Sequence, residues 1–261
     1  MDIAQETAAS AKPDINQISV ADLVNCLKRG WGDYKRAPLI GIFFSVFYVI
    51  GGYVIFSVLV LSGEIWWAMP LTVGFPLIAP FAAVGLYATS QLIEAKKEIR
   101  WGKVLGSAMA ERKRQIPWVG AIIVMWFLLY MLISHAIFAI TMGLSALTNI
   151  TTSFELFFTT DGIIMLLAQC VVGAAFAFAL FSITLVSLPY LLDKEVDFVT
   201  AILTSIQCVI ENFRVLMVWA VMIGALSLLA MVPALLGLLV ALPVFGHATW
   251  HLYRKLLHHP A

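Results

Sequence analysis

Charge is scarce in this chain. Only 12% of its 261 residues are Asp, Glu, Lys or Arg, while 62% are hydrophobic. A soluble domain carries roughly 25% charged and about 45–50% apolar residues. That shortage excludes an ordinary soluble enzyme or binding domain and indicates a chain solvated mostly by lipid. Cysteine is also scarce, with Cys26, Cys170 and Cys208 far apart in sequence. No CxxC pair occurs, so neither a disulfide framework nor a zinc framework is expected. The first residues, MDIAQETAASAKPDINQIS, lack the apolar core of a signal peptide. Residues 1–18 are expected to be a flexible cytoplasmic tail, and 19–261 a single transmembrane domain.

Hydrophobic runs are plentiful. A helix needs about 20 mostly apolar residues to cross the bilayer core. Leu39–Ser62, Trp66–Leu92, Trp118–Gly143 and Gly162–Leu188 each satisfy that requirement. The uncharged run from Val215 to Tyr253 is too long for one crossing and contains Pro233. Proline deletes a helical donor, so the run is expected to divide there. The count becomes six spans, with the last two at about 215–232 and 234–253. Every one of the 16 Lys and Arg residues then falls on one side of the membrane. The positive-inside rule makes that side, and both termini, cytoplasmic.

A repeat runs through the pattern. DLVNCLKRGWGDYKRAP (22–38) aligns without gaps to DFVTAILTSIQCVIENF (197–213), at a constant offset of 175 positions. Each reads as an amphipathic helix before an odd-numbered span. The expected apolar stripes are Leu23, Leu27, Trp31 and Tyr34 in the first, and Phe198, Ile202, Ile206, Val209 and Phe213 in the second. WGKVLGSAMAERKRQIP (101–117) supplies a third such segment, with Trp101, Val104, Leu105 and Ala108 on one face. The even spans echo one another too: PFAAVGLYATSQ (80–91) lies over PVFGHATWHLYR (243–254). The fold class is therefore all-α, a polytopic membrane protein of six transmembrane helices. They form three parallel repeats, 19–95, 96–192 and 193–261, each an amphipathic interfacial helix plus a helical hairpin. An even number of crossings preserves orientation, so the repeats are parallel and not inverted, and their packing is expected to be pseudo-threefold about the membrane normal.

DLVNCLKRGWGDYKRAPLIG, GFPLIAPFAAVGLYATSQLIE, SLPYLLDKEVDFVTAILTSIQCVIEN and LPVFGHATWHLYRK together resemble the proteobacterial integral membrane proteins grouped as domain of unknown function 2189. The likeness extends over nearly all of the chain after the tail, and GHATWHLYR is its most specific part. It implies a bacterial inner-membrane location and no particular activity. Some members are labelled cytochrome c oxidase subunit I. This chain lacks the dozen spans and six mid-membrane histidine ligands that such a subunit needs.

Catalytic motifs are missing: no GxSxG, HExxH, phosphate-binding loop or GxGxxG is present. Neither enzymatic activity, a cofactor, a metal nor a nucleic-acid partner is expected. Ionisable groups inside a membrane point to function by default. Here they reduce to His135 in the third span, with Gln169 in the fourth as its expected polar neighbour. That pair could line a small cavity or simply join two helices by hydrogen bonds. A second candidate site is the end of the last span, where His247 and His251 lie one helical turn apart, with Trp250 and the equivalent aromatic Tyr87. The expectation is that Trp250 and Tyr253 sit at the lipid headgroups while the histidines hydrogen-bond to nearby interfacial helices. Lys28, Arg29, Lys35, Arg36, Arg112, Lys113 and Arg114 are expected to contact lipid headgroups. The expected partners are the phospholipid membrane and another inner-membrane protein complex. Three functions fit: a non-catalytic accessory, assembly or scaffold protein; a small permease or lipid-handling protein with a path along the repeat axis; or, more weakly, a haem- or metal-binding protein associated with a respiratory oxidase.

Overall fold

The computed structural model describes residues 13–62, 80–110, 115–143 and 157–258. In chain order its helices are α1 (Val20–Arg36), α2 (Pro38–Ser62), α3 (Pro80–Glu94), α4 (Trp101–Ala110), α5 (Ile116–Met142), α6 (Thr160–Thr184), α7 (Ser187–Asp193), α8 (Phe198–Glu211), α9 (Phe213–Met231) and α10 (Leu238–Leu256). Two short strands, β1 (Asp14–Ile15) and β2 (Leu257–His258), pair antiparallel. Among the described residues, four segments are long and apolar enough to cross a membrane: Pro38–Ser57, Ile116–Met142, Thr160–Asp193 and Phe213–Met231. The second expected span, Trp66–Leu92, lies largely outside the described residues.

Local sequence sets the helix ends. Ser19 caps α1 through its side chain and Asp22 answers from the third position, a complete capping box. Pro38 forces α1 to stop and α2 to start anew. Asp197 and Thr159 cap α8 and α6 by accepting from the backbone N–H groups of Thr200 and Gly162. The long apolar run divides at Pro233 as expected. After α9 the chain turns through Ala234 and Leu235, both with positive φ, before α10 begins. Pro189 likewise separates α7 from α6: proline supplies no N–H to the carbonyl one turn back. Ser205 of α8 mends that break, accepting from Val186 N at 3.0 Å and donating to Ser182 O at 2.7 Å.

The core sits where three helix ends meet. Residues 84–90 of α3, the stretch 184–192 ending in α7, and 243–253 of α10 are buried without interruption. These three segments pack on one another in every pairing. Most large side chains of α2, α5, α6 and α9 that face outward are apolar and exposed, such as Leu39, Leu132, Val171 and Leu229. Helix α10 differs from the four apolar segments because protein surrounds most of it. Its histidines, threonine and aromatics are therefore compatible with burial.

The amphipathic segments pack on protein, through a face that overlaps the expected one at Leu23, Val104 and Val209 but is otherwise shifted from it. In α1 the buried positions are Leu23, Cys26, Gly30 and Asp33, while Trp31 is exposed. In α8 they are Ala201, Thr204, Ser205, Cys208 and Val209, with Phe198 and Ile202 only half-buried. In α4 Val104 is buried but Trp101 and Leu105 are exposed, and the side chain of Ala108 lies outside the described residues. The reason is close approach. A Cβ on Gly30 would stand 2.6 Å from the Ala248 nitrogen, so α1 lies directly against the backbone of α10. Small residues make such contacts, and the large apolar ones are left to the rim.

Residues 13–18 are not part of a free tail. Asp14 and Ile15 pair with His258 and Leu257, and Asn16 N donates to Leu256 O at 2.8 Å. Asn212, between α8 and α9, accepts from Ile18 N at 2.9 Å and donates to Asn16 O at 3.1 Å. These bonds satisfy backbone groups on both termini and clasp the start of the chain to its end. Residues 1–12 lie outside the described residues.

Candidate functional site

Asp33 is buried, which is unusual for a carboxylate without partners. Its partners come from two other helices. Ser90 Oγ of α3 donates to Asp33 Oδ2 at 2.9 Å, and His251 Nε2 of α10 lies 2.8 Å from the same oxygen. Ser90 Oγ also contacts His247 Nδ1 at 2.8 Å. Proton counting orders this chain. An ionised Asp33 can only accept, so His251 donates through Nε2–H. The single Ser90 hydroxyl proton goes to Asp33, so His247 donates its Nδ1–H to Ser90 Oγ. The quartet thus carries one negative charge with both imidazoles neutral, and none if His251 gains a second proton.

Burial alone would raise the Asp33 pKa. The His251 hydrogen bond, the positive charge of His251 when it is protonated, the Ser90 hydrogen bond and the charge of His247 when it is protonated together outweigh that effect and hold it below the usual carboxylate value. His251 Nδ1 is buried and has no hydrogen-bond partner among the described residues.

A second polar layer lies one turn further along α10. Trp250 Nε1 donates to Glu94 Oε2 at 2.9 Å, and Tyr253 donates to Asp193 Oδ2 at 2.8 Å. Arg254 reaches both acids, at 3.5 Å to Glu94 and 3.3 Å to Asp193, and Gln91 donates to the other Asp193 oxygen at 3.2 Å. Trp250 and Tyr253 are therefore buried and held by carboxylates, not exposed at headgroups as expected. Lys255 pairs with Asp22 at 3.1 Å. The Ser19 backbone and hydroxyl donors, then Lys255, pull the Asp22 pKa down to about 2.

A cavity of about 230 Å³ opens beside the quartet. Arg29, Gly32, Asp33 and Arg36 of α1 line it, with Ile93, Glu94 and His251.

The expected sites are met unequally. His247, His251, Trp250 and Tyr87 are all buried in the core where α3 and α10 meet. The histidines do bond toward an amphipathic helix, through Asp33. The expected His135–Gln169 pair is replaced by another. Both described Gln169 bonds go to Ser134: its Oε1 accepts from Ser134 Oγ at 2.7 Å and its Nε2 donates to Ser134 O at 3.0 Å. One residue is about 100° of helical rotation, so Ser134 faces α6 while His135 turns to the half-exposed side. Lys28, Arg29, Lys35 and Arg36 are exposed along α1, and Arg112, Lys113 and Arg114 lie outside the described residues.

Sequence reasoning missed Asp33, Ser90, Glu94 and Asp193. The available signal was spacing. Asp33 stands seven residues after Cys26 and three after Gly30, on the small-residue face and not the large apolar one.

Residues 68–193 match the model of a family described as predicted integral membrane protein, domain of unknown function 2189 (DUF2189). The matched stretch covers slightly under half of the chain and reaches through α7. The GHATWHLYR segment lies beyond it. No curated protein and no solved structure matches the chain.

Proposed function

We propose that this integral membrane protein is a non-catalytic accessory, assembly or scaffold protein of the bacterial inner membrane, acting with lipid or another membrane complex. We read it as six spans in three parallel repeats, with both termini cytoplasmic. Two patterns support the repeats. Buried Cys26, Gly30, Asp33 and Ala37 fall 175 positions before buried Ala201, Ser205, Cys208 and Asn212. The packing also steps around a ring: α4 on α3, α8 on α6 and α7, and α1 on α10, so each amphipathic helix rests on the even span of the repeat before it. The confinement of all 16 Lys and Arg residues to one side of the six-span scheme supports the orientation.

The observation that carries the scaffold reading is the filled centre. Large side chains, Tyr190, Trp250, Tyr253 and Leu86 among them, occupy the meeting point of α3, α7 and α10 with almost no exposure. A packed centre suits a rigid platform better than a path for solute. The test has two arms. Single cysteines at Lys28, Lys103 and Lys255 should label only from the cytoplasmic side. Purified protein in sealed liposomes should leave leakage of small solutes at the level of empty vesicles, while in gently solubilised membranes it migrates within a larger complex. Solute flux above the control would establish the permease reading instead.

A further inference from the structure

The cavity beside the quartet has a charge pattern of its own. Arg29 and Arg36 lie on one wall, and neither has an ion-pair partner among the described residues. Asp33, between the two arginines on the same helix, and Glu94 of α3 contribute two negative charges. Asp33 is committed to Ser90 and His251, and the described bonds of Glu94 all use Oε2. His251 lines the cavity, is 3% exposed, and keeps an unpartnered Nδ1. In the tautomer fixed by Asp33 that nitrogen is a bare acceptor. The cavity therefore offers unpaired cationic donors on one side and unfilled acceptors on the other, with formal charges that cancel.

Its depth is also fixed. Arg36 stands two residues ahead of Pro38, the first residue of a segment apolar enough to cross the membrane. A guanidinium there lies at the level of the phospholipid phosphates.

We propose that the cavity between α1, α3 and α10 binds a zwitterionic phosphoethanolamine headgroup, its phosphate between Arg29 and Arg36 and its ammonium toward Glu94 and His251 Nδ1. Arginine suits the phosphate because its planar fork donates in pairs. The ammonium supplies the donors that His251 Nδ1 and Glu94 Oε1 lack. A purely anionic headgroup would satisfy the arginines but leave the acceptors unfilled and add repulsion from two carboxylates. The proposal rests on α2 spanning the membrane, which the cysteine labelling above tests separately.

The experiment is native mass spectrometry of the full chain in detergent, after equilibration with phosphatidylethanolamine, phosphatidylglycerol or phosphatidylcholine of one acyl composition. The wild type should retain one phosphatidylethanolamine per chain at least tenfold better than either other lipid. The Arg29→Gln, Arg36→Gln double variant should lose that retention. Glu94→Gln should shift the preference toward phosphatidylglycerol. Nitrogen NMR of His251 should show Nδ1 gaining a hydrogen bond only with the preferred lipid, a readout available for any variant that remains folded. Equal retention of all three lipids would overturn the proposal, and so would retention indifferent to the double variant. Displacement of the lipid by inorganic phosphate at millimolar concentration would identify a free-anion site and overturn the lipid assignment.

Discussion

Asp33 and His251 are separated by 218 positions in the chain, yet the Asp33 carboxylate and the His251 imidazole meet at 2.8 Å in a buried setting. That contact ties the first helix to the last. It buries a carboxylate whose hydrogen bonds come from Ser90 and His251, so removing either partner should be costly. A buried donor such as His251 Nε2–H, stripped of its acceptor, costs about 1–3 kcal/mol. Asp33→Ala should lower the thermal midpoint in detergent by a correspondingly large margin, while Asp14→Ala on the exposed N-terminal strand should leave it nearly unchanged. Calorimetry or a thiol-reactive unfolding probe would measure the difference.

Acid should act through the same residue. The Asp33 pKa is lowered in the folded protein relative to an ordinary carboxylate near 3.9. Its contribution to stability is therefore fully present above about 4 and drains away as pH falls from there through the folded value. Stability between pH 5 and pH 3 should drop more steeply in the wild type than in Asp33→Asn, whose slope loses this component. Equal slopes would show that Asp33 titrates as it does in the unfolded chain.

Two glycines of α1 separate contact from propensity. Gly30 faces Ala248, with no room for a Cβ, whereas a Cβ on Gly32 would meet nothing within 4 Å. Gly30→Ala should push α1 off α10 and destabilise the protein. Gly32→Ala should stabilise it by about 0.5–1 kcal/mol, since glycine is the poorer helix former. Opposite signs in urea or thermal unfolding confirm the packing; two stabilising changes would contradict it.

The cysteines report on surroundings. Burial pushes the thiol of Cys26 up to about 11 and that of Cys208 up to about 12, while Cys170 is exposed on the apolar helix α6. In intact membranes Cys170 should react with a lipid-soluble maleimide and resist a charged one. Cys26 and Cys208 should resist both until the protein unfolds. Rapid labelling of Cys170 by the charged reagent would mean that α6 faces water.

Much of the architecture was legible in the residue pattern. Length and hydropathy identified α2, α5, α6 and α9, and Pro233 marked the division of the last run, because lipid burial and a missing donor act locally. The docking faces of α1 and α8 were not legible. Their large apolar residues form the obvious stripe, yet close helix contact selects Gly30, Cys26, Ala201 and Ser205 instead. The candidate site was half visible. His247 and His251 stand out as a pair, but their partners Asp33 and Ser90 are distant in sequence and ordinary in context. Only the fold brings a carboxylate from α1 and a hydroxyl from α3 to the same two rings. His135 misled for a similar reason: one residue of register decides whether a polar side chain meets the next helix, and Ser134 has that position.

The histidines already have hydrogen-bond work to do. Replacing both His247 and His251 with alanine should leave bound metal and haem in the purified protein unchanged, measured by elemental analysis and the Soret absorbance. A loss of either would assign the pair a ligand role.

A double-mutant cycle on Asp33→Asn and His251→Gln tests most directly the claim that a buried charge network locks α1 onto α10. Residues in direct contact couple by about 0.5–3 kcal/mol. The single variants should each destabilise the protein, and the double variant should cost less than their sum by an amount in that range. Strict additivity would mean that the two side chains do not sense one another and that α1 is held by other contacts.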